Sequence, residues 1–169
     1  SVNAITGSVE FKSHPSGNGT YLSYVDADSV FNFGDGNFTI EFWMKPNTVD
    51  TSVLFQDGDN ATVLDYGYGN TSNSANAWWA VHHNDQGVKF AFQNSDQITS
   101  SNFLTANTWH HVSINHVRTG SSSGKTTIYG DGTAVGSISS TQTFTDALTR
   151  ELTIGNQNNV NRCFEGYIS

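Results

Sequence analysis

The sequence predicts an all-β protein, an antiparallel β-sandwich of the jelly-roll type with little or no helix. Three observations carry this. Apolar and polar residues alternate with period 2 in several short runs, which turns one face of an extended strand to a core and the other to solvent. The runs are separated by spacers such as "HPSGNG", "NFGDGN", "GYGNTSNSANA" and "RTGSSSG", whose Gly, Asn, Asp and Ser are turn chemistry. No segment carries the 3.6-residue stripe of an amphipathic helix. Many short strands joined by such turns close into a sandwich or barrel.

Taken in order, "SVEFKS" and "TYLSYV" open the chain as short strands. "FTIEFWMKP" is the clearest strand. It sets Phe38, Ile40, Phe42 and Met44 on one face and Thr39, Glu41, Trp43 and Lys45 on the other, and ends at Pro46, which has no N–H for a ladder. "SVLFQD" follows as a further short strand, and "GVKFAFQ" repeats the alternation with Val88, Phe90 and Phe92 on one side. "TWHHVSINHVR" alternates as well. "KTTIYGDGTAVGSIS" reads as a hairpin about Asp131-Gly132, a pair that tolerates the positive φ of a tight turn. "ELTIGN" and "EGYIS" complete the set. The biased segments lie between strands, so they read as surface loops, and residues 1–169 form a single domain.

Composition narrows the function. The chain has 169 residues, 36% hydrophobic and 12% aromatic, enough for one core without disulfides. Cys163 is the only cysteine, so no intrachain disulfide forms. Seven Lys and Arg stand against 15 Asp and Glu, for a net charge of −8. With no basic cluster to neutralise phosphates, nucleic acid is not an expected partner. No apolar run is long enough for membrane insertion. An Asn-, Ser-, Thr- and Gly-rich, Lys-poor composition points to an extracellular or virion-surface location. The start at Ser1, without a charged n-region and apolar h-region, leads us to expect a domain excised from a larger protein.

His110, His111 and His116 fall within seven positions, a density that invites a metal-site reading. Strand parity argues against it. His111 shares a face with Trp109, Ser113 and Asn115, whereas His110 and His116 lie with Val112 and Ile114. His110 and His116 are also roughly 20 Å apart at about 3.3 Å per residue, too far to share one ion. His82 and His83 could approach them only from a neighbouring strand. The four glutamates, Glu10, Glu41, Glu151 and Glu165, are each isolated from a second carboxylate at strand spacing. No Gly-x-Ser-x-Gly elbow, phosphate loop or dinucleotide fingerprint is present, so no enzyme is expected.

Three ordered segments, "SVEFKSHPSGNGTYLSYVDADSVFNFGDGNFTIEFWMKP", "WHHVSINHVRTGSSSGKTTIYGDGTAVGS" and "LTIGNQNNVNRCFEGYIS", resemble laminin-G-like jelly-roll domains of the concanavalin A-like lectin and glucanase superfamily. The resemblance implies a sandwich fold. It implies no single function, since the superfamily holds lectins, adhesion modules, pentraxins, glycosidases and virion proteins. Relatives of laminarinase type carry Glu-x-Asp-x-x-Glu on one strand, and that run is missing here. The family's usual ending adds one more strand beyond "GYI", so the closing strand is expected from elsewhere.

Two binding surfaces are candidates. Asp57, Asp59, Asn60 and Asp65 in "QDGDNATVLD" offer the oxygen ligands that calcium needs. The resemblance to pentraxins extends this set: Asp59-Asn60 match an Asp-Asn pair, and Gln157, Asn158 and Asn159 occupy a Glu-Gln-Asp triplet. Amides replace both carboxylates there, so calcium would bind weakly. Tyr66 and Tyr68 in "DYGYGN" and the Trp78-Trp79 pair flank the longest polar loop and could stack on sugar rings. The expectation is therefore a non-catalytic binding or adhesion module recognising a glycan or surface receptor through rim loops. A structural or decoration domain of a phage tail or capsid, packed against sister subunits or a larger parent chain, is the second reading, and an atypical glycosidase the third.

Overall fold

Inside–outside alternation sets the architecture. In the computed structural model, Phe38–Pro46 and His110–Gly120 pair antiparallel, with Phe42 opposite Val112 and Trp43 opposite His111. Phe42, Met44, Val112 and Ile114 are thereby turned into a core while Trp43 stays outside. The structure describes residues 7–12, 19–34, 36–51, 61–67, 79–92, 96–121, 123–141, 150–157 and 162–169.

Twelve strands are found among these residues. They are β1 (Val9–Phe11), β2 (Leu22–Asp26), β3 (Phe38–Pro46), β4 (Ala61–Tyr66), β5 (Trp79–Asn84) and β6 (Gly87–Phe92). The rest are β7 (Asp96–Thr99), β8 (His110–Gly120), β9 (Ser123–Gly130), β10 (Thr133–Ser140), β11 (Arg150–Ile154) and β12 (Gly166–Ile168). They form two six-stranded antiparallel sheets, ordered β1-β12-β3-β8-β9-β10 and β2-β11-β4-β5-β6-β7. The expected all-β sandwich is present, with no helix long and apolar enough to cross a membrane among the described residues.

The hairpin at Asp131-Gly132 forms as read, with φ of 50° and 80° at its two central residues. β4, β5 and β7 are strands that the alternation did not reveal. The reason is burial on both faces: every residue of β4 and all but Asn84 of β5 are buried, so neither shows a polar phase. "SVLFQD" lies outside the described residues.

Between the sheets, Phe11, Met44, Val112, Ile114 and Ile128 meet Tyr66, Trp79, Val81, Phe90, Phe92 and Leu152. Gly155 is required where the chain leaves β11: its φ is +89°, and a Cβ there would sit 2.0 Å from the Phe11 ring.

The histidines divide as strand parity demands. His110 and His116 point inward, and His111 points out beside Trp109. The His110 ring is fixed at both nitrogens. Nε2 accepts the Thr105 backbone N–H at 3.0 Å, so Nδ1 must carry the proton that it donates to Asp131 Oδ2 at 2.7 Å. His116 stacks on Phe38 and lies 2.9 Å from the Thr126 hydroxyl. His82 and His83 face opposite sides of β5, with His83 edge-on to Phe164 in the core. Among the described residues no three His, Cys, Asp or Glu side chains converge as a metal set.

Burial keeps these rings neutral. It pushes His82 down to about 3, helped by the nearby charges of Arg162 and Lys89. It pushes His83 down to about 4, against a partial lift from Asp85, and lowers His116, with Arg118 assisting. The unfolded rings titrate near 6.5, so the unfolded chain binds more protons below that pH. Stability is then fully present above about pH 6.5 and is lost as the pH falls towards the folded values. Urea unfolding from pH 7 to pH 4 should show a loss of roughly 2–3 kcal/mol per pH unit near pH 5, from two histidines at about 1.4 kcal/mol each. A flat profile down to pH 4.5 would rule out neutral burial.

Candidate functional site

The outward face of the first sheet collects large aromatic side chains. Alternation in β3 and β12 sends Trp43, Lys45 and Tyr167 outward, and register aligns them: Tyr167 stands opposite Lys45, and Trp43 opposite His111. Trp109, just before β8, extends the row. Its ring lies 6.3 Å from that of Tyr167, and the Lys45 ammonium sits over Tyr167 at 5.3 Å from the ring centre. The Trp43 and His111 rings are 5.1 Å apart. Trp43 is 49% exposed and Trp109 40%, a large apolar area for strands that could have carried Thr or Ser there.

Polar groups frame these rings. Tyr167 donates its hydroxyl to Glu10 Oε1 at 3.0 Å, and that carboxylate raises the pKa of the phenol. Lys12 approaches the same carboxylate at 3.4 Å. His111 Nε2 lies 3.9 Å from Glu41 Oε2. One row further, Glu41 aligns with Ser113 and Tyr129. Rigid strands therefore hold aromatic faces beside carboxylates, hydroxyls and an ammonium.

The aromatic residues expected at the rim divide differently. Tyr66 and Trp79 are core residues, 0% and 2% exposed. Tyr66 donates to Asp26 Oδ2 at 2.9 Å, and Trp79 donates its indole N–H to the Phe31 carbonyl at 3.2 Å while its ring stacks with Tyr66 and Phe33. These contacts fix the turn after β2. Burial opposes the charge on Asp26, but the N–H groups of Phe31 and Val30 and the Tyr66 hydroxyl hold its pKa below the usual carboxylate range. Neither ring is placed to meet a ligand at the rim, because β4 and β5 turn both inward. Tyr68 and Trp78 lie outside the described residues.

Of the residues considered for calcium, Gln157 and Asp65 are described and both are buried. Gln157 receives the Asn156 side-chain oxygen on its backbone N–H at 2.8 Å. Asp57, Asp59, Asn60, Asn158 and Asn159 lie outside the described residues. Sequence reasoning set Glu41 and Trp43 on one outward face but passed over Tyr167. The outward phase of β3 was visible, whereas its alignment with β12 needs the sheet order.

A laminin-G family model, of the concanavalin A-like lectin/glucanases superfamily, matches residues 17–169. The chain belongs to this family. No curated protein matches it in sequence. Among solved structures it resembles a native heptameric SAP-like pentraxin from Limulus polyphemus, at 12% identity and TM-score 0.63, covering 96% of this chain and 72% of that one. It also resembles a protein from Bacteroides ovatus described as carbohydrate binding, at 18% identity and TM-score 0.60, covering 95% and 40%. The binding domain of botulinum neurotoxin DC, solved with SialylT, gives 18% identity and TM-score 0.60, covering 98% and 40%. At these identities the likeness is one of fold, and the laminin-G-like chain spans only part of each relative.

The two tryptophan environments predict opposite outcomes. Trp79→Ala should cost about 3–5 kcal/mol, as a large core truncation does. Trp43→Ala and Trp109→Ala should each cost under about 1 kcal/mol. Chemical denaturation of the three variants checks this, and equal losses at positions 43 and 79 would contradict the inside–outside assignment.

Proposed function

We propose that this laminin-G-like domain is a non-catalytic glycan-binding module on an extracellular or virion surface, and that it binds sugar on the outer face of the first sheet. The exposed Trp43 and Trp109, with the half-buried Tyr167 beside them, are the observation that carries this reading. The apolar face of a sugar ring gains by stacking on a flat aromatic surface, and its hydroxyls need acceptors and donors at the edge. Glu10, Glu41, His111 and Lys45 surround the rings in those roles. Strand-borne side chains lose little freedom on binding, which favours recognition by a shallow surface. The Bacteroides ovatus protein described as carbohydrate binding is compatible with this reading and does not carry it. The burial of Tyr66 and Trp79 moves the proposed surface from the rim loops to this sheet.

A glycan array probed with the wild-type chain should give hits against neutral oligosaccharides. Trp43→Ala and Trp109→Ala should weaken each hit at least tenfold in a calorimetric titration, about 1.4 kcal/mol. Hits that both variants leave intact would reject this face as the site.

One observation favours assembly as a second reading. β2 is an edge strand, and Tyr21, Leu22, Tyr24, Val25 and the nearby Val30 are exposed along it. Residues 19–25 carry no charge, so the edge lacks the charged or bulged protection that edge strands normally have. A second copy of the chain, paired antiparallel along β2, would cover it. Light scattering at rising concentration should then show a dimer that Val25→Lys abolishes. A wild-type chain monomeric at 1 mM, taken as a limit of about 4 kcal/mol, would dismiss this reading.

A further inference from the structure

We propose that the outer face of the first sheet selects sugars that carry an ammonium group, and that this cation sits between the Trp43 ring and the Glu41 carboxylate. The inference rests on the glycan reading above and names the class of sugar that the face takes. Glu41 and Trp43 share the outward phase of β3, two residues and roughly 7 Å apart. Both are exposed. An ammonium can lie against the ring face and meet a carboxylate oxygen together, and the two attractions act on one group because the ring and the acid are neighbours.

Of Glu10, Asp131 and Glu41, the carboxylates that border these rings, Glu41 is the least engaged. Glu10 takes the Tyr167 hydroxyl and the Lys12 ammonium. Asp131 takes the His110 ring and the His111 backbone N–H. Among the described residues the one ion-pair contact of Glu41 is His111 Nε2 at 3.9 Å, beyond hydrogen-bond distance, and its side chain is 65% exposed. Its neighbours on the outward face are Thr39 and Trp43 along β3 and Ser113 opposite on β8, with His111 and Asn115 diagonal to it. None of these is a lysine or an arginine. Lys45 lies four residues along β3, about 13 Å away, and its ammonium sits over Tyr167. That contact is also a precedent, because the chain seats one of its own cations on an aromatic ring of this surface. The wider charge favours the same ligand. With seven basic residues against 15 acidic ones, the field of the protein draws in cations and repels sugars bearing carboxylate or sulfate groups. A neutral sugar stacks on the rings, and an amino sugar adds the pair with Glu41.

The test titrates the wild-type chain calorimetrically with β-linked trimers of glucosamine, N-acetylglucosamine and glucose, of which the first alone carries charge. At about pH 6.5, where such an amine is mostly protonated, the glucosamine trimer should bind about tenfold tighter than the glucose trimer. The preference should shrink at least threefold at about pH 9, where the amine is neutral. Glu41→Gln should abolish the preference while leaving the glucose trimer within about twofold of wild type, and Trp43→Ala should weaken all three trimers. Asp28→Asn, which removes an exposed acid beyond β2 on the other sheet, should change nothing, separating the local pair from net charge. Matching melting temperatures for the variants exclude a folding effect. Equal affinity for the glucosamine and glucose trimers overturns the inference and leaves the glycan reading standing, as does a preference that survives Glu41→Gln. A trilysine peptide that binds as tightly as the glucosamine trimer, and is weakened equally by Trp43→Ala, overturns the sugar as the carrier of the cation. Failure of all three trimers to bind overturns the glycan reading, and this inference with it.

Discussion

The ladder between β3 and β8 is the constraint on which the rest depends. A strand has only two faces, so aligning Phe42 with Val112 and Trp43 with His111 fixes in one step what is core and what is surface. A slip of one residue would exchange the two sets and bury Trp43, Glu41 and Lys45 in place of Phe42 and Met44. The core and the aromatic face are therefore two consequences of one register. The strands that flank this pair, β12 and β9, inherit it and add Tyr167 and Tyr129 to the outer side.

Two of the polar groups inside the sandwich are held by several specific partners. Asp26 collects two backbone N–H groups and the Tyr66 hydroxyl, and His110 is fixed at both ring nitrogens. A buried polar atom costs more unpaired than it returns when paired, so such groups favour one arrangement over near alternatives. Elsewhere, burial of His82, His83 and His116 appears as sensitivity to acid, because it lowers the pKa of each ring.

The sequence revealed those strands that have one wet face. β3, β6 and the β9–β10 hairpin were readable because Glu41, Lys89 and the Asp131-Gly132 pair supply a polar phase or a turn. β4 and β5 were not, because Thr62, Asp65 and His82 are buried on their outward side. Without a visible polar phase at either place, Tyr66 and Trp79 read as rings flanking the turn-rich segment between them. The candidate site was legible in part. Trp43 and Trp109 declare their phase locally, but their proximity to Tyr167 depends on pairing between distant parts of the chain, and alternation carries no information about which strands are neighbours.

The turn at Asp131 is not self-contained. Its backbone N–H bonds the His111 carbonyl, one carboxylate oxygen takes the His111 N–H, and the other takes the His110 ring. All three anchors lie on β8, so the tip of one hairpin is bolted to the start of the neighbouring strand. An isolated hairpin can form from its own turn within microseconds. Here the turn reaches its final geometry only when three strands are together, so β8, β9 and β10 assemble as one cooperative unit and enter or leave the fold together.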